Sequence, residues 1–301
     1  MSTIPTLTIK IGSWNMKQFT TKNKLKISNI IQNISEVNPD ILAMQEIQDI
    51  EAVKIVVENL GSEWDFISHK TPTWKAKNFQ DYHAFIFKKS IAQPLGCFSH
   101  DNDRDKYYIG NNGLFHKSPV YCSFLIKDQC NITIVSVHTK SDVPMRDIQN
   151  LKYCVKAIKK TNKNLEKMIV LGDFNAPVDS IGFERLIGKG KYNFKPVLDS
   201  GINTNLIDTS QYDNILYNKH ISKVSSNVSR PEDRTVETHS DHCLVYAELQ
   251  ILNNSPIRHF NRPNLHDVYT FKKIQNTQKN TFLNTFLGCF RTPVEEEEIV
   301  E

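Results

Sequence analysis

The feature that most constrains this chain is a series of short polar clusters, each placed at the end of an apolar run. The clusters are Ser13-Trp14-Asn15-Met16, Gln45-Glu46, Val137-His138-Thr139-Lys140, Leu171-Gly172-Asp173-Phe174-Asn175, Tyr212-Asp213-Asn214-Ile215 and Ser240-Asp241-His242-Cys243. Strand ends therefore deliver Asn, Glu, His and Asp side chains repeatedly. Carboxylate and amide oxygens suit Mg²⁺, and imidazoles exchange protons near neutral pH. Such a series is what a phosphodiester site built around a hard metal ion requires.

The apolar pattern predicts strands and helices that alternate at first, followed by consecutive strands in the middle of the chain. Residues 7–13 are strand-like, and an isoleucine-rich stripe over residues 27–37 has helical spacing and stops before Pro39. A second helix is predicted over residues 148–158. Further strands are predicted at residues 41–44, 84–87, 120–126, 132–137, 168–171 and 244–249. This order favours two sheets covered by helices over a single Rossmann sheet.

The character of the chain changes near residue 252. Residues 1–252 are predicted to form one domain, which is long enough to bury a sizeable core. Residues 253–301 are predicted to be an appendage, because they begin with the punctuating run Asn253-Asn254-Ser255-Pro256. Aromatic and aliphatic residues between Phe271 and Phe290 give the stripe of a candidate helix, which an acidic tail follows.

Three interpretations of this appendage stay open. It is a disordered tail, a helix that packs on the core, or a targeting segment. In the third case Cys289 carries a lipid, or the run Glu295 to Glu298 acts like the glutamate-rich C-terminal export signals of some bacterial effectors. If the appendage is a targeting segment, a peripheral membrane contact or an export contact is expected.

Composition narrows the class of protein. No apolar run approaches the length that spans a bilayer, and residues 1–6 lack the basic head and apolar core of a secretory signal. We therefore expect a cytoplasmic protein with reduced cysteines, of which Cys122 and Cys154 are predicted to be buried. The net charge is +4, and setting aside the five glutamates at the C-terminus raises it to +9. A basic body of this size is compatible with a polyanionic substrate.

Four of the candidate carboxylates and amides also have a structural explanation. Glu46 follows a buried strand and can be an acid at the start of the next helix. Asn15 can be an ordinary turn residue. Asp173 and Asn175 lie between a strand and Pro177, where a simple Asx turn is expected.

The histidines differ in this respect. Because alternate residues of a strand share a face, His138 is predicted to lie on the same face as Ser136 and Ile134. A histidine in such a position is usually structural, with its ring nitrogens hydrogen-bonded inside the protein. Asp241 and His242 are harder to explain structurally. Adjacent side chains on a strand point to opposite sides, so one of the two is buried unless both lie at a cleft rim.

Taken in order, the clusters resemble the endonuclease/exonuclease/phosphatase superfamily over about residues 7–250. The motifs that carry the resemblance are Trp14-Asn15, Gln45-Glu46, His138, Gly172-Asp173-Phe174-Asn175, Tyr212-Asp213 and Ser240-Asp241-His242. The stretches at residues 79–87 and 138–142 resemble the deoxyribonuclease I-like branch. The resemblance implies an α/β fold, a four-layer αββα sandwich of two mixed, largely antiparallel sheets flanked by helices. The site would lie at the ends of the two facing sheets.

The resemblance also implies roles for the clustered residues. Asn15 and Glu46 would hold the divalent metal, and Asp241 would complete or support a metal position. Asp173 and Asn175 would meet the scissile phosphate or a second metal and help to place the attacking water.

Two histidine–carboxylate pairs follow from the same resemblance. Asp213 would orient His242, and Asp81 would orient His138 from a position where relatives commonly carry glutamate. Lys117 would contact the substrate phosphate where the deoxyribonuclease branch often has arginine, so the planar two-pronged contact is lost.

The implied activity is metal-dependent phosphodiester hydrolysis, and a deoxyribonuclease I-like endonuclease that cuts DNA by in-line attack of water is preferred. Mg²⁺ is the expected cofactor, with Mn²⁺ or Ca²⁺ as alternatives at oxygen ligands. We prefer His242 as the general base and His138 as a phosphate contact or acid, with Asp173 as a rival water-activating group.

Other substrates remain open at this point. Members of the superfamily that act on abasic DNA, RNA or a phospholipid such as sphingomyelin are the enzymatic alternatives. A non-enzymatic scaffold would be expected to lack at least one core group, and all are present. We expect a monomer that binds nucleic acid.

Overall fold

The computed structural model describes residues 6–71, 81–100, 115–161, 166–188, 192–232, 235–236 and 238–252. The appendage predicted over residues 253–301 lies outside the described residues. In chain order the described elements are β1 (Thr6–Phe19), α1 (Lys24–Val37), β2 (Ile41–Ile47), α2 (Ile50–Leu60), β3 (Trp64–Lys70), β4 (Tyr82–Lys88), β5 (Ala92–Ser99), β6 (Val120–Ile126), β7 (Cys130–His138), α3 (Pro144–Thr161), β8 (Met168–Asp173), a 3-10 turn (Ile181–Phe183), β9 (Lys195–Pro196), β10 (Asp213–Tyr217), β11 (Ile221–Ser229) and β12 (Leu244–Leu252).

The strands form two mixed six-stranded sheets. The first has the order β11-β12-β1-β2-β4-β3, and the second has the order β5-β6-β7-β8-β10-β9. In the first sheet β1 is parallel to β2, and in the second β7 is parallel to β8. The other paired strands of both sheets are antiparallel. Helix α1 makes the first parallel crossover and α3 makes the second, as parallel pairing requires.

The two sheets face each other across an apolar core. Phe85 and Phe87 of the first sheet pack edge-on against Phe124 of the second, with ring centroids 6.0 and 5.6 Å apart. Helices α1 and α2 bury their apolar faces on the outer side of the first sheet, and α3 does the same on the second. The layers are therefore helix, sheet, sheet and helix, which confirms the predicted αββα sandwich.

Several local predictions are confirmed as well. The strand over residues 132–137 and both predicted helices lie within observed elements. Cys122 and Cys154 are buried, and all five described cysteines are free thiols.

Within the described part of the chain, no helix is both long enough and apolar enough to cross a membrane.

Strand β1 differs from its prediction because it runs past Ser13 to Phe19. A register shift in its pairing with β2, between Asn15 and Phe19, marks a bulge at this point. Lys17 and Gln18 have left-handed backbones there, with φ of 47° and 51°. A bulge redirects the side chains around it, and this one lies beside the candidate site.

Candidate active site

One edge of the second sheet carries a row of three ionisable side chains. Register pairs His138 at the end of β7 with Asp173 at the end of β8, and Asp173 with Asp213 at the start of β10. All three side chains are buried. Asp213 thus begins its strand rather than ending an apolar run, because β10 is antiparallel to β8. Its side chain reaches the same edge from the opposite chain direction.

The matching edge of the first sheet contributes Asn15, which bridges the two sheets. Its side-chain Nδ2 donates to Oε1 of Glu46 at 3.0 Å and to Oδ2 of Asp173 at 2.9 Å. Its Oδ1 accepts the backbone N–H of Lys17 at 2.9 Å. Asn15 therefore holds one carboxylate from each sheet beside the other.

Glu46 lies at a strained point of the backbone. Its φ is 56°, and the pairing of β2 with β4 shifts register between Met44 and Ile47. A left-handed non-glycine residue is uncommon, and such strain collects at functional sites. The carboxylate that this geometry presents accepts the backbone N–H of Gln18 at 3.3 Å.

The segment after β8 combines the two explanations that the sequence left open. The backbone N–H of Asn175 donates to Oδ1 of Asp173 at 2.8 Å, which closes an Asx turn. Nδ2 of Asn175 donates to the carbonyl of Thr139 at 3.0 Å. The turn is therefore present, and it fixes one oxygen of Asp173 while the other faces the site.

Gly172 is required by the close approach of β7. Its φ is +134°, and a Cβ at this position would lie 2.0 Å from the carbonyl oxygen of Val137. No side chain fits against that backbone. The glycine before Asp173 thus allows the two parallel strands to bring His138 and Asp173 together.

His242 forms a buried pair with Asp213. Its Nδ1 lies 2.8 Å from Oδ2 of Asp213, and its Nε2 lies 3.6 Å from Oδ2 of Asp173. Thr204 donates its hydroxyl to the same Asp213 oxygen at 2.9 Å. The indole N–H of Trp14 holds the His242 carbonyl at 2.8 Å. The ring is therefore held at Nδ1 and the backbone at its carbonyl, and Nε2 is directed toward Asp173.

Burial and neighbouring charges act in opposite directions on this pair. Desolvation lowers the pKa of His242, but the carboxylates of Asp213 and Asp173 outweigh it and raise that pKa to about 10. Burial raises the pKa of Asp213 to about 6. Asp213 remains the stronger acid of the two, so the shared proton rests on the imidazole at neutral pH. An imidazolium donates to an anionic oxygen and does not take a proton from water.

His138 lies beside one ammonium group and three carboxylates. Its Nε2 is 3.3 Å from Oε1 of Glu46 and 3.8 Å from Oδ2 of Asp173. Nζ of Lys117 lies 2.9 Å from Nε2 and 3.0 Å from Nδ1. Oδ2 of Asp81 is 3.7 Å from Nδ1, which is an ion-pair distance rather than a hydrogen bond. Asp81 and His138 thus face each other without a hydrogen bond, so the orienting role of Asp81 stays a prediction, and Lys117 lies against the same ring.

Asp241 contacts Lys17, a residue to which no role was assigned from the sequence. Nζ of Lys17 donates to Oδ2 of Asp241 at 2.7 Å. The carbonyl of Lys17 accepts Nζ of Lys26 at 3.0 Å. Desolvation lowers the pKa of Lys26 to about 8. Two ammonium groups therefore flank the first-sheet side of the site.

The sequence patterns did not indicate a role for three residues of this arrangement, which are Lys17, Lys26 and Thr204. Lys17 follows Asn15 by two positions and comes directly after the first polar cluster, so its position was a usable signal. Thr204 lies in an irregular segment, and its backbone contacts form only in the fold, where its hydroxyl accepts the N–H groups of Tyr212 and Asp213 at 2.9 and 3.0 Å. Nothing in the sequence near Thr204 indicates this role.

The donor set fits a hard divalent cation. Glu46, His138 and Asp173 each offer a ligand atom within 4.8 Å of the others, and so do Asp173, Asp213 and His242. The second group is already joined by the His242–Asp213 hydrogen bond, whereas the first contains Glu46, one of the three residues expected to hold the metal. Among the described residues, Oδ1 of Asp241 is a buried oxygen with no hydrogen-bond partner. Oxygen donors dominate the cluster, as Mg²⁺ and similar ions require.

The model of the Endonuclease/Exonuclease/phosphatase family matches residues 12–242, and the chain belongs to this family. That range contains every residue of the site described above. The family contains hydrolases, and its enzymes are metal-dependent. No curated protein matches the chain by sequence.

Solved structures of this family share the fold at low sequence identity. The chain is similar to the human Nocturnin catalytic domain with bound sulfate (TM-score 0.61, 15% identity, 81% of this chain and 96% of that chain). It is similar to an endonuclease/exonuclease/phosphatase from Bacteroides vulgatus (TM-score 0.62, 15% identity, 81% and 99%). It is also similar to D. rerio TDP2 complexed with a single-strand DNA product (TM-score 0.59, 12% identity, 80% and 98%). At these identities the likeness establishes the fold.

Proposed function

We propose that this family member is a divalent-metal-dependent phosphodiester hydrolase that cuts DNA internally by in-line attack of water. One observation supports the proposal most strongly. Oδ2 of Asp173 is the point on which the two histidines and Asn15 converge, at 3.6, 3.8 and 2.9 Å. A buried carboxylate that accepts a cross-sheet amide and faces two imidazoles has no evident structural purpose at the strand ends of a sandwich.

The metal would be held by the Oδ1 atom of Asn15 and by carboxylate oxygens of Glu46 and Asp241. This oxygen set favours Mg²⁺, and Mn²⁺ or Ca²⁺ are accepted by similar ligands. When bound, such an ion neutralises phosphoryl charge and stabilises the leaving oxygen.

The protein's own groups then divide the work of proton transfer. Asp173 is oriented through both oxygens and is placed to accept the proton of the attacking water. His242 carries its proton on a fixed ring, so its Nε2 donates to the phosphoryl group. This assignment moves the role of base from His242, which the sequence favoured, to its rival Asp173. His138 and Lys117 lie together and would contact the phosphate.

The choice of DNA as the substrate rests on charge and on one structural relative. The body of the chain is basic once the C-terminal glutamates are set aside. The ammonium groups of Lys17 and Lys117 lie at the site itself, where they are positioned to attract a phosphate backbone. TDP2 from D. rerio, which shares the fold, was solved with a single-strand DNA product.

The proposal is tested by incubating the purified full chain with supercoiled plasmid and Mg²⁺. Parallel reactions contain EDTA, the His242→Ala variant, or a His220→Ala variant as the matched control on a loop away from the site. We expect nicking by the wild type and by His220→Ala, and loss of nicking in EDTA and in His242→Ala. An intact plasmid with folded, metal-bound protein would overturn the DNA assignment. Abasic DNA, RNA and sphingomyelin would then be assayed under the same conditions.

A further inference from the structure

Lys17 is placed by the bulge of β1 rather than by regular strand geometry. Its backbone is left-handed, and three hydrogen bonds hold the segment in that state. Its N–H donates to Oδ1 of Asn15, the N–H of Gln18 donates to Oε2 of Glu46, and the Lys17 carbonyl accepts Nζ of Lys26. Two of the three acceptors are oxygens of the residues assigned to the metal.

The ammonium of Lys17 lies within the field of the carboxylate cluster. It makes a 2.7 Å ion pair with Oδ2 of Asp241, and the charges of Glu46 and Asp173 add to this attraction. Nearly half of the Lys17 side chain is exposed to solvent, so the lysine keeps the positive charge that lysines ordinarily carry at neutral pH. A positive charge therefore already neutralises part of the site.

We propose that Lys17 is a built-in counterion that competes with the divalent cation for Asp241 and thereby sets the affinity of the site for metal. The inference rests on the proposed metal-dependent function and deepens it. In the metal-free protein Lys17 shields the clustered carboxylates from one another. Metal binding requires the ammonium to leave Asp241. Oxygens of Asn15 and Glu46 that turn toward the metal would also leave the backbone N–H groups of Lys17 and Gln18, whose hydrogen bonds fix the bulge.

The balance of forces allows this exchange. The side chains of Lys17 and Asp241 are 45% and 34% exposed, and ion pairs of such exposure are weak. A divalent cation interacts with the same carboxylates twice as strongly as a unit charge at equal distance. The ammonium is therefore held well enough to order the carboxylates before a metal binds, and loosely enough to be displaced by the metal.

Direct titration of metal binding tests the inference without reference to activity. Mn²⁺ binding is followed by the electron paramagnetic resonance signal of free Mn²⁺, using the full chain and its Lys17→Met variant. Methionine keeps the length of the alkyl chain and removes the charge. We expect the dissociation constant for Mn²⁺ to fall about tenfold, which corresponds to removal of one competing unit charge at ion-pair distance.

Two further variants provide the controls. Lys54→Met removes an ion pair of similar length, 2.9 Å to Glu51, on the remote helix α2, and should bind Mn²⁺ like the wild type. Lys17→Arg keeps the charge and should also stay close to wild-type affinity. An equal or higher dissociation constant in Lys17→Met than in the wild type would overturn the inference. If the wild type itself binds no Mn²⁺, the proposed function fails instead.

Discussion

Nδ1 of His242 lies 2.8 Å from Oδ2 of Asp213, and both side chains are buried. Asp213 stands at the start of β10 in the second sheet, whereas His242 precedes β12 of the first sheet. The bond therefore joins the two halves of the sandwich at the candidate site. It fixes the ring so that Nε2 faces Asp173, and it keeps the imidazole protonated.

Replacing Asp213 by asparagine should separate orientation from charge. Asp213→Asn keeps the shape of the side chain but removes the carboxylate that raises the pKa of His242. We expect a lower pKa for His242 in a nuclear magnetic resonance titration, together with a loss of activity of roughly 10²–10⁴-fold. Asp179→Asn, at an exposed carboxylate bonded to Ser200, is the matched control. An unchanged pKa for His242 would refute the pairing.

Thr204 should matter for stability through Asp213. Its hydroxyl donates to the Asp213 carboxylate and accepts two backbone N–H groups, so Thr204→Val leaves three buried polar groups without this partner. We expect the free energy of unfolding to fall by about 1–3 kcal/mol in urea denaturation. Thr204→Ser retains the hydroxyl and should recover most of the loss. Equal loss in both variants would point to the methyl group instead.

Gly172→Ala should distort the site through a steric clash as well as through backbone strain. A Cβ at Gly172 would meet the Val137 carbonyl, whereas one at Gly61, which also has a left-handed backbone, would meet nothing within 4 Å. Gly61→Ala should therefore cost only the backbone strain, roughly 1–3 kcal/mol. We expect a larger loss in thermal unfolding for Gly172→Ala and weaker Mn²⁺ binding in any folded fraction. Similar behaviour of the two variants would show that the close approach of β7 is unimportant.

The His242 pKa predicts how stability depends on pH. The folded value of about 10 exceeds the unfolded value of 6.5, so the stabilising contribution is complete below pH 6.5 and is lost as the pH rises toward 10. The stability difference between the metal-free wild type and His242→Gln should shrink over this interval in urea titrations. Burial lowers the pKa of His220, so His220→Gln should show no such decline. A difference that is constant from pH 6.5 to 10 would contradict the assignment.

The sequence was sufficient to predict the strands whose position depends on burial alone. Strand parity placed His138 on the face of Ser136, and in the fold Ser136 accepts Nε2 of Gln45 from the opposite sheet at 2.9 Å. Apolar runs located the central strands because both of their faces are covered. The order of the polar clusters then indicated the edge at which Asn15 and Asp173 meet.

Other parts could not be derived from local pattern. Edge strand β11 is polar along its exposed middle, and β5 contains Pro94 and Gly96, so neither has the signature of a buried strand. The left-handed backbones of Lys17 and Glu46 depend on partners distant in sequence. The protonated state of His242 depends on carboxylates from two other strands. These features arise from tertiary contacts, and a linear pattern does not contain them.

The central claim is that this edge of the sandwich hydrolyses phosphodiesters with a divalent cation and Asp173. Its most direct test is the hydrolysis of bis(p-nitrophenyl) phosphate, which separates the chemistry from recognition of a polymer. We predict turnover that rises to saturation with Mg²⁺ and falls roughly 10²–10⁴-fold in Asp173→Asn, with Asp179→Asn unaffected. Turnover that is independent of metal, or full activity in Asp173→Asn, would contradict the account.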